Sequence, residues 1–200
     1  MNNIDTVFFD WGGVIAGDPA DDFLEKLLIN IGATHAQIED ILATYKISFM
    51  RGEISEKEYW SQLNQKYNLS IHDTISDEFK KWKGLIVNEK ILSLVNESKT
   101  NGYKVALLTN VIEPTYNVLK SAGRYEYFDA VIASCKVGLA KPEKEIYDLA
   151  LKRLNTTPDK SIFIDDKQKN LDPAIAMGFH TILAEKPAQI ISDLRHYFKT

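Results

Sequence analysis

The run Thr6–Phe9, Thr-Val-Phe-Phe, is followed abruptly by Asp10 and the pair Gly12-Gly13. A short β-rich run stopped by a polar residue and glycines predicts a buried strand emptying into a loop. Four later runs, 105–109, Ala130–Ala133, 161–164 and 181–183, resemble it. Helical spacing fills the intervals. Residues 142–154 set Ile146, Leu149 and Ala150 on one face, and Leu171, Ala174 and Met177 recur before Gly178. Strands alternating with helices predict an α/β fold, a parallel sheet covered on both faces.

The stretch between the first two strands breaks the alternation, because from 17 to 86 the spacing is helical throughout. Asp18-Pro19 reads as an N-cap and a first-turn proline, after which Ala20, Phe23, Leu24, Leu27, Leu28 and Ile31 recur until Gly32. Thr34 with Gln37, and Ser55 with Glu58, are capping-box pairs. They open helices carrying Ile38, Ile41, Leu42 and Tyr45, then Tyr59, Trp60 and Leu63. A fourth helix is expected around Phe79 and Trp82. The expected organisation is a Rossmann-like parallel-sheet core, residues 1–16 and 87–200, interrupted by a helical insertion, residues 17–86.

Composition narrows the class. At 200 residues, 44% hydrophobic and 26% charged, the chain can bury a sizeable core. Its 24 basic and 28 acidic residues are interspersed, so a nucleic-acid partner is not expected. The chain opens Met-Asn-Asn-Ile-Asp and has no apolar stretch of spanning length, so a cytoplasmic protein without a membrane partner is expected. Cys135, the single cysteine, excludes an intrachain disulfide and a cysteine-rich metal site, and reads as a small packing residue. His35, His72, His180 and His196 share no spacing.

In an open parallel sheet, ligands bind beyond the carboxyl ends of the strands. Asp10 follows the first strand, Thr109-Asn110 ends the second, Lys141 lies in the loop after the third, and Asp165-Asp166 ends the fourth. Each also has a plain structural reading: turn residue, helix cap or solvated charge. Together they imply more. Three carboxylates gathered at one sheet edge repel one another unless a cation or raised pKa values relieve them. Oxygen ligands without cysteine or a placed histidine suit Mg²⁺, and a lysine and a hydroxyl beside them complete an anion site fit for phosphoryl transfer.

Four segments, in order, resemble the motifs of haloacid dehalogenase-like (HAD-like) hydrolases. They are Phe8-Phe9-Asp10-Trp11-Gly12-Gly13-Val14-Ile15, Leu107-Leu108-Thr109-Asn110, Lys141-Pro142-Glu143-Lys144-Glu145-Ile146-Tyr147 and Phe163-Ile164-Asp165-Asp166-Lys167-Gln168-Lys169-Asn170. The resemblance implies a HAD-like fold whose helical insertion is a cap over the site. It also implies Mg²⁺-dependent hydrolysis of a small phosphate ester. Asp10 becomes the nucleophile, Thr109, Asn110 and Lys141 hold phosphate, and Asp10, Asp166, Asp165 and the Gly12 carbonyl hold the metal, with Asn170 supporting them.

The family's commonest phosphatase pattern has an aspartate two residues after the nucleophile, as general acid and base. Here that residue is Gly12. Bacterial α-D-glucose-1-phosphate phosphatases carry Asp-x-Gly-Asn-Val at this place, and their Arg-Gly-Glu-Ile-Ser cap segment recurs as Arg51-Gly52-Glu53-Ile54-Ser55, although a helix C-cap glycine and a capping box account for most of it. A sugar 1-phosphate expels an anomeric oxygen, which needs less acid help. Asp18 is a conceivable substitute acid. Two alternatives are a 2-haloacid dehalogenase, which needs no acidic pair, and a silent phosphate-binding regulatory protein. Tyr45, Phe49, Trp60 and Trp82 are aromatic candidates for a pocket wall, with core packing the commoner use of such residues.

Overall fold

Alternating side chains on five strands, the central three almost wholly buried, divide the core into two layers. In the computed structural model, which describes residues 4–16, 25, 28–30, 32–44, 46–70 and 86–198, the strands are β1 (Thr6–Phe9), β2 (Lys104–Thr109), β3 (Ala130–Ala133), β4 (Ser161–Asp165) and β5 (His180–Leu183). They form one sheet in the order β3-β2-β1-β4-β5, and every pairing is parallel. Val7 and Phe9 of β1 pack with Val105, Leu107, Ile162 and Ile164 on one face, while Phe8 packs with Ala106, Leu108, Ile132 and Phe163 on the other. Burial on both faces explains the continuously apolar runs. Phe8, Phe9 and Phe163 are fully buried, each worth about 1.5–3 kcal/mol relative to exposure.

Helices cover both faces. The first is covered by α4 (Glu89–Thr100), α5 (Glu113–Ser121) and α9 (Pro187–Arg195), through Ile91, Val95, Leu119, Ile190 and Leu194. The second is covered by α7 (Lys144–Leu154) and α8 (Gln168–Met177), through Ile146, Tyr147, Ala150, Leu171 and Ala174. Two details differ from the sequence reading. The helix expected from 142 begins at Lys144, and Tyr147 and Leu151 join its buried face while Leu149 is only half-buried. The Tyr147 hydroxyl donates to the Asn170 carbonyl at 2.6 Å, tying α7 to α8 and turning this face inward. The loop after β3 also contains a short helix, α6 (Ser134–Val137), stopped by Gly138 in the left-handed region. The expected Rossmann-like α/β core is therefore present, with β1 central and β2 and β4 on either side.

Between β1 and α4 the described elements are helical: α1 (His35–Thr44), α2 (Lys46–Met50) and α3 (Glu56–Tyr67), with helical residues also at 28–30. Both capping boxes form, Thr34 with Gln37 and Ser55 with Glu58. Leu28, Ile38, Ile41, Phe49, Tyr59, Trp60 and Leu63 build a third apolar cluster, which Ile112 joins from beyond β2. Phe49 stacks on Tyr59 at 4.4 Å between ring centroids, and Trp60 meets both edge-on. The chain leaves β1 and returns at one point, where Ala16 bridges Val87 and the Asn88 amide donates to the Ile15 carbonyl at 2.8 Å. Most of the helix expected from Asp18-Pro19, the helix expected around Phe79 and Trp82, and Tyr45 lie outside the described residues.

Candidate active site

Parallel registry puts the ends of β1, β2 and β4 side by side, with Phe9 abreast of Leu107 and Ile164. Asp10 thus emerges at the sheet edge, its amide donating to the Ile164 carbonyl at 2.9 Å. Its Oδ1 accepts from the Trp11 amide at 2.7 Å, and the Thr109 hydroxyl also bonds this carboxylate. Lys141 approaches from the β3 side and is buried. Its Nζ lies 3.0 Å from Asp10 Oδ2 and 2.6 Å from Asp165 Oδ2, and donates to the Leu108 carbonyl at 3.0 Å. Asn110 fixes the lysine's backbone: its Nδ2 donates to the Lys141 carbonyl and its Oδ1 accepts from the Lys141 amide, at 2.9 and 2.8 Å.

Asp165 is engaged on both oxygens. It accepts from the Lys167 amide at 2.8 Å, from Lys141, and from Asn170 Nδ2 at 3.0 and 3.1 Å. Asp166 is half-buried and packs on Gly13. A Cβ at Gly13 would lie 2.5 Å from the Asp166 carboxyl carbon, and Gly13 has φ of +73°, so only glycine fits both the turn and the neighbour.

Carboxylate oxygens of Asp10, Asp165 and Asp166 lie within 4.8 Å of one another. Lys141 pairs with Asp10 and Asp165, one cation against three carboxyl groups, so among these four residues negative charge is in excess. Burial pushes the Asp10 carboxyl up to about 7; Lys141 opposes the shift and Asp165 adds to it. Burial also raises Asp166, against the pull of Lys167. For Lys141, burial disfavours the charge, but the Asp10 and Asp165 carboxylates outweigh it and hold the pKa above its ordinary value. Asn170 Oδ1 is buried without a partner among the described residues. An all-oxygen donor set, surplus negative charge and an unsatisfied buried oxygen suit a hard divalent cation.

A cavity of about 270 Å³ opens over Asp10. Gly12, Thr109, Asn110, Lys141 and Asn170 line its floor. Its upper wall was not read from the sequence: Leu42, Lys46, Ile47 and Met50 from α1 and α2, with Trp11, Val111, Lys167 and Lys169 from the core. Lys167 and Lys169 lie inside the fourth motif, which was the available signal. Phe49 and Trp60 are instead buried in the helical cluster. Arg51 pairs with Glu143 and Glu53, and Gly52 sits against the Cys135 carbonyl, so this segment docks the inserted helices on the core. No described histidine lines the cavity. The Cys135 thiol is pushed up to about 11, chiefly by burial, which keeps it protonated and unreactive.

Residues 4–198 match the model of the haloacid dehalogenase-like hydrolase family. The chain belongs to this family. It is 32% identical over 133 residues to the sesquiterpene phosphatase astK of Aspergillus oryzae, covering 65% of this chain and 67% of that protein. It is 24% identical to the D-ribitol-5-phosphate phosphatase of Bacteroides thetaiotaomicron, covering 96% of this chain and 97% of the relative. It spans only 18% and 29% of two longer relatives from mouse. A solved HAD family enzyme, bt-2542 of Bacteroides thetaiotaomicron, in complex with magnesium and inorganic phosphate, superposes with a TM-score of 0.72 at 20% identity, over 92% of this chain and 96% of that one. The HAD-like fold expected from the four motifs is thereby established, and the chain is a hydrolase by family. Among the described residues, no helix is long and apolar enough to cross a membrane.

Proposed function

We propose that this protein is a Mg²⁺-dependent phosphatase of small phosphate esters in which Asp10 is transiently phosphorylated. The carrying observation is that Asp10, Lys141, Asp165 and Asp166 converge at the end of the central strands beneath one cavity. Two relatives named as phosphatases, astK and the ribitol-phosphate enzyme, and the magnesium and phosphate held by bt-2542 support the reading.

Each residue's part follows from its surroundings. An Asp10 oxygen attacks phosphorus, while the Thr109 hydroxyl, the Asn110 backbone amide and the Lys141 ammonium hold the phosphoryl oxygens. Asp10, Asp166 and the Gly12 carbonyl would hold Mg²⁺, which when bound offsets the charge of the phosphoryl group and carboxylates. Asp165, already accepting from Lys141, Lys167 and Asn170, assists from behind and orients the lysine. Residues 17–86 act as a cap on a core of residues 1–16 and 87–200, and α1 and α2 supply the cavity's upper wall. The dehalogenase reading is weaker, because an acidic pair serves no purpose beside an uncharged carbon–halogen bond.

The test is turnover of p-nitrophenyl phosphate with Mg²⁺, after exhaustive chelation, and in Asp10→Asn. Chelation and the substitution are each expected to reduce kcat at least 10³-fold, about the scale of losing a catalytic electrostatic partner. Undiminished turnover in either case removes the proposed mechanism, and no turnover at all in the wild type favours a phosphate-binding regulatory protein.

A further inference from the structure

The wall of the cavity above Asp10 contains a buried hydroxyl with nothing to bond. Thr115, in the first turn of α5, lines the cavity and is 2% exposed, and its Oγ1 has no hydrogen-bond partner among the described residues. A threonine within a helix ordinarily bonds the carbonyl three or four residues back. Here the carbonyl four back, at Val111, lies instead against Ser134 Oγ at 3.1 Å. Folded proteins leave few buried polar groups unpaired, because each keeps its desolvation cost. Valine would fill the same volume without that cost, so packing does not account for a hydroxyl at this position.

The surroundings of Thr115 point to a ligand oxygen. Ile112, the N-cap of the nine-residue α5, makes no side-chain capping bond, and Pro114 brings no N–H, so the positive end of this helix favours an acceptor from outside the helix. Glu113, the acid of that turn, is paired with Lys136. Thr109, Asn110, Val111 and Thr115 line the cavity in succession, so the chain carries the wall from the phosphate floor to this hydroxyl. An organic group on a phosphate held at Thr109 and Asn110 passes along it.

We propose that Thr115 is a specificity-determining residue whose hydroxyl recognises a hydroxyl group on the leaving alcohol; this rests on the phosphatase reading above. Threonine Oγ1 both donates and accepts, and a hydroxyl partner uses both capacities. A carboxylate uses only the proton and costs more to bury beside Ile47, Met50 and Val111, which face the carbon skeleton of the substrate. Oγ1 is covered by its neighbours, and rotation between the two χ1 rotamers open to a helical threonine turns it toward the ligand. The substrate class is therefore the phosphate monoesters of diols and polyols.

The experiment measures kcat and KM with Mg²⁺ for butyl phosphate, its 2-, 3- and 4-hydroxy analogues, 4-phosphooxybutanoate and p-nitrophenyl phosphate. At least one hydroxylated ester is expected to exceed butyl phosphate about tenfold in kcat/KM in the wild type, about the worth of one hydrogen bond. Thr115→Val is expected to bring that ratio near one, chiefly through KM, while butyl phosphate and p-nitrophenyl phosphate stay within about twofold of wild type. Thr115→Ser should keep most of the preference. The melting temperature of Thr115→Val should equal or exceed that of the wild type, since a methyl group replaces an unpaired hydroxyl. No preference for any hydroxylated ester in the wild type, or a preference unmoved in Thr115→Val, overturns the proposal, as does a loss confined to the carboxylate ester. Thr115→Ala carries the same kinetic expectation should Thr115→Val not fold. If the esters are hydrolysed with full dependence on Asp10 and Mg²⁺ but without that preference, the phosphatase reading stands and only the role of Thr115 falls. If no ester is hydrolysed, both fall.

Discussion

At the scale of single residues, Gly13 shows how tightly the site is drawn. Its positive φ turns the chain shortly after Asp10, and its missing side chain lets the Asp166 carboxyl lie against the backbone. Gly13→Ala should therefore do two separable things. Forcing an alanine into the left-handed region costs about 1–2 kcal/mol of stability, read from denaturant midpoints. Displacing Asp166 should raise the Mg²⁺ concentration needed for half-maximal turnover at least tenfold, read from a metal titration of activity. A variant that loses stability but keeps the wild-type Mg²⁺ requirement would show that Asp166 does not need this neighbour. Asp165 contrasts with Asp166: it is buried and engaged on both oxygens, by Lys141, Asn170 and the Lys167 amide.

At the scale of elements, the turn between α2 and α3 connects the inserted helices to the loop bearing Lys141. Arg51 pairs with Glu143, two residues beyond Lys141, and the Met50 carbonyl accepts from Ser134 Oγ at 2.7 Å. Ser134 Oγ also accepts from the Val111 amide at 2.9 Å, so the turn, α6 and the end of β2 meet at one hydroxyl. The Arg51–Glu143 pair is partly exposed and contributes about 1 kcal/mol or less to stability. Its larger effect is on where Leu42, Lys46, Ile47 and Met50 stand over the cavity. Arg51→Met is accordingly expected to leave the melting temperature within about 3 °C of wild type. KM for substrates reaching the upper wall should rise several-fold, while kcat for p-nitrophenyl phosphate changes little. Steady-state kinetics with both substrate kinds checks this, and an equal effect on both would show that the pair acts on the catalytic floor instead.

At the scale of the whole molecule, the site opposes the stability that the sheet supplies. The Asp10 carboxyl, raised from 3.8 to about 7, holds a proton in the folded protein at pH values where the unfolded chain has released it. Its stabilising contribution is complete below about 3.8 and is lost as pH rises through about 7. This group therefore makes metal-free protein less stable from pH 5 to pH 7.5, by at most about 1.4 kcal/mol per pH unit. Chemical denaturation in chelator at several pH values should show that fall, and Asp10→Asn should flatten it. Mg²⁺ at about a hundred times its dissociation constant should restore about 2.7 kcal/mol in the wild type. Equal pH dependence in wild type and Asp10→Asn would contradict the origin assigned to the raised pKa.

Local information carried much of this architecture. Five apolar runs, their stop signals and the intervening helical periods specify a parallel α/β sheet, because a strand buried on both faces must be apolar at successive positions and a helix covering it must repeat every three to four. The floor of the site was legible for the same reason: Asp10, Thr109, Asn110, Lys141, Asp165 and Asp166 follow strands or motifs whose ends parallel registry brings together. Charge alone could not say that Asp165 is satisfied on both oxygens, since that depends on Asn170 and Lys141 arriving from different elements. The upper wall was decided wholly by tertiary contacts. Phe49 and Trp60 turn into the helical cluster and Lys46 and Ile47 line the cavity. An amphipathic period shows that a helix has two faces, but long-range partners such as Ile112, Ser134 and Glu143 determine which face looks onto the sheet edge.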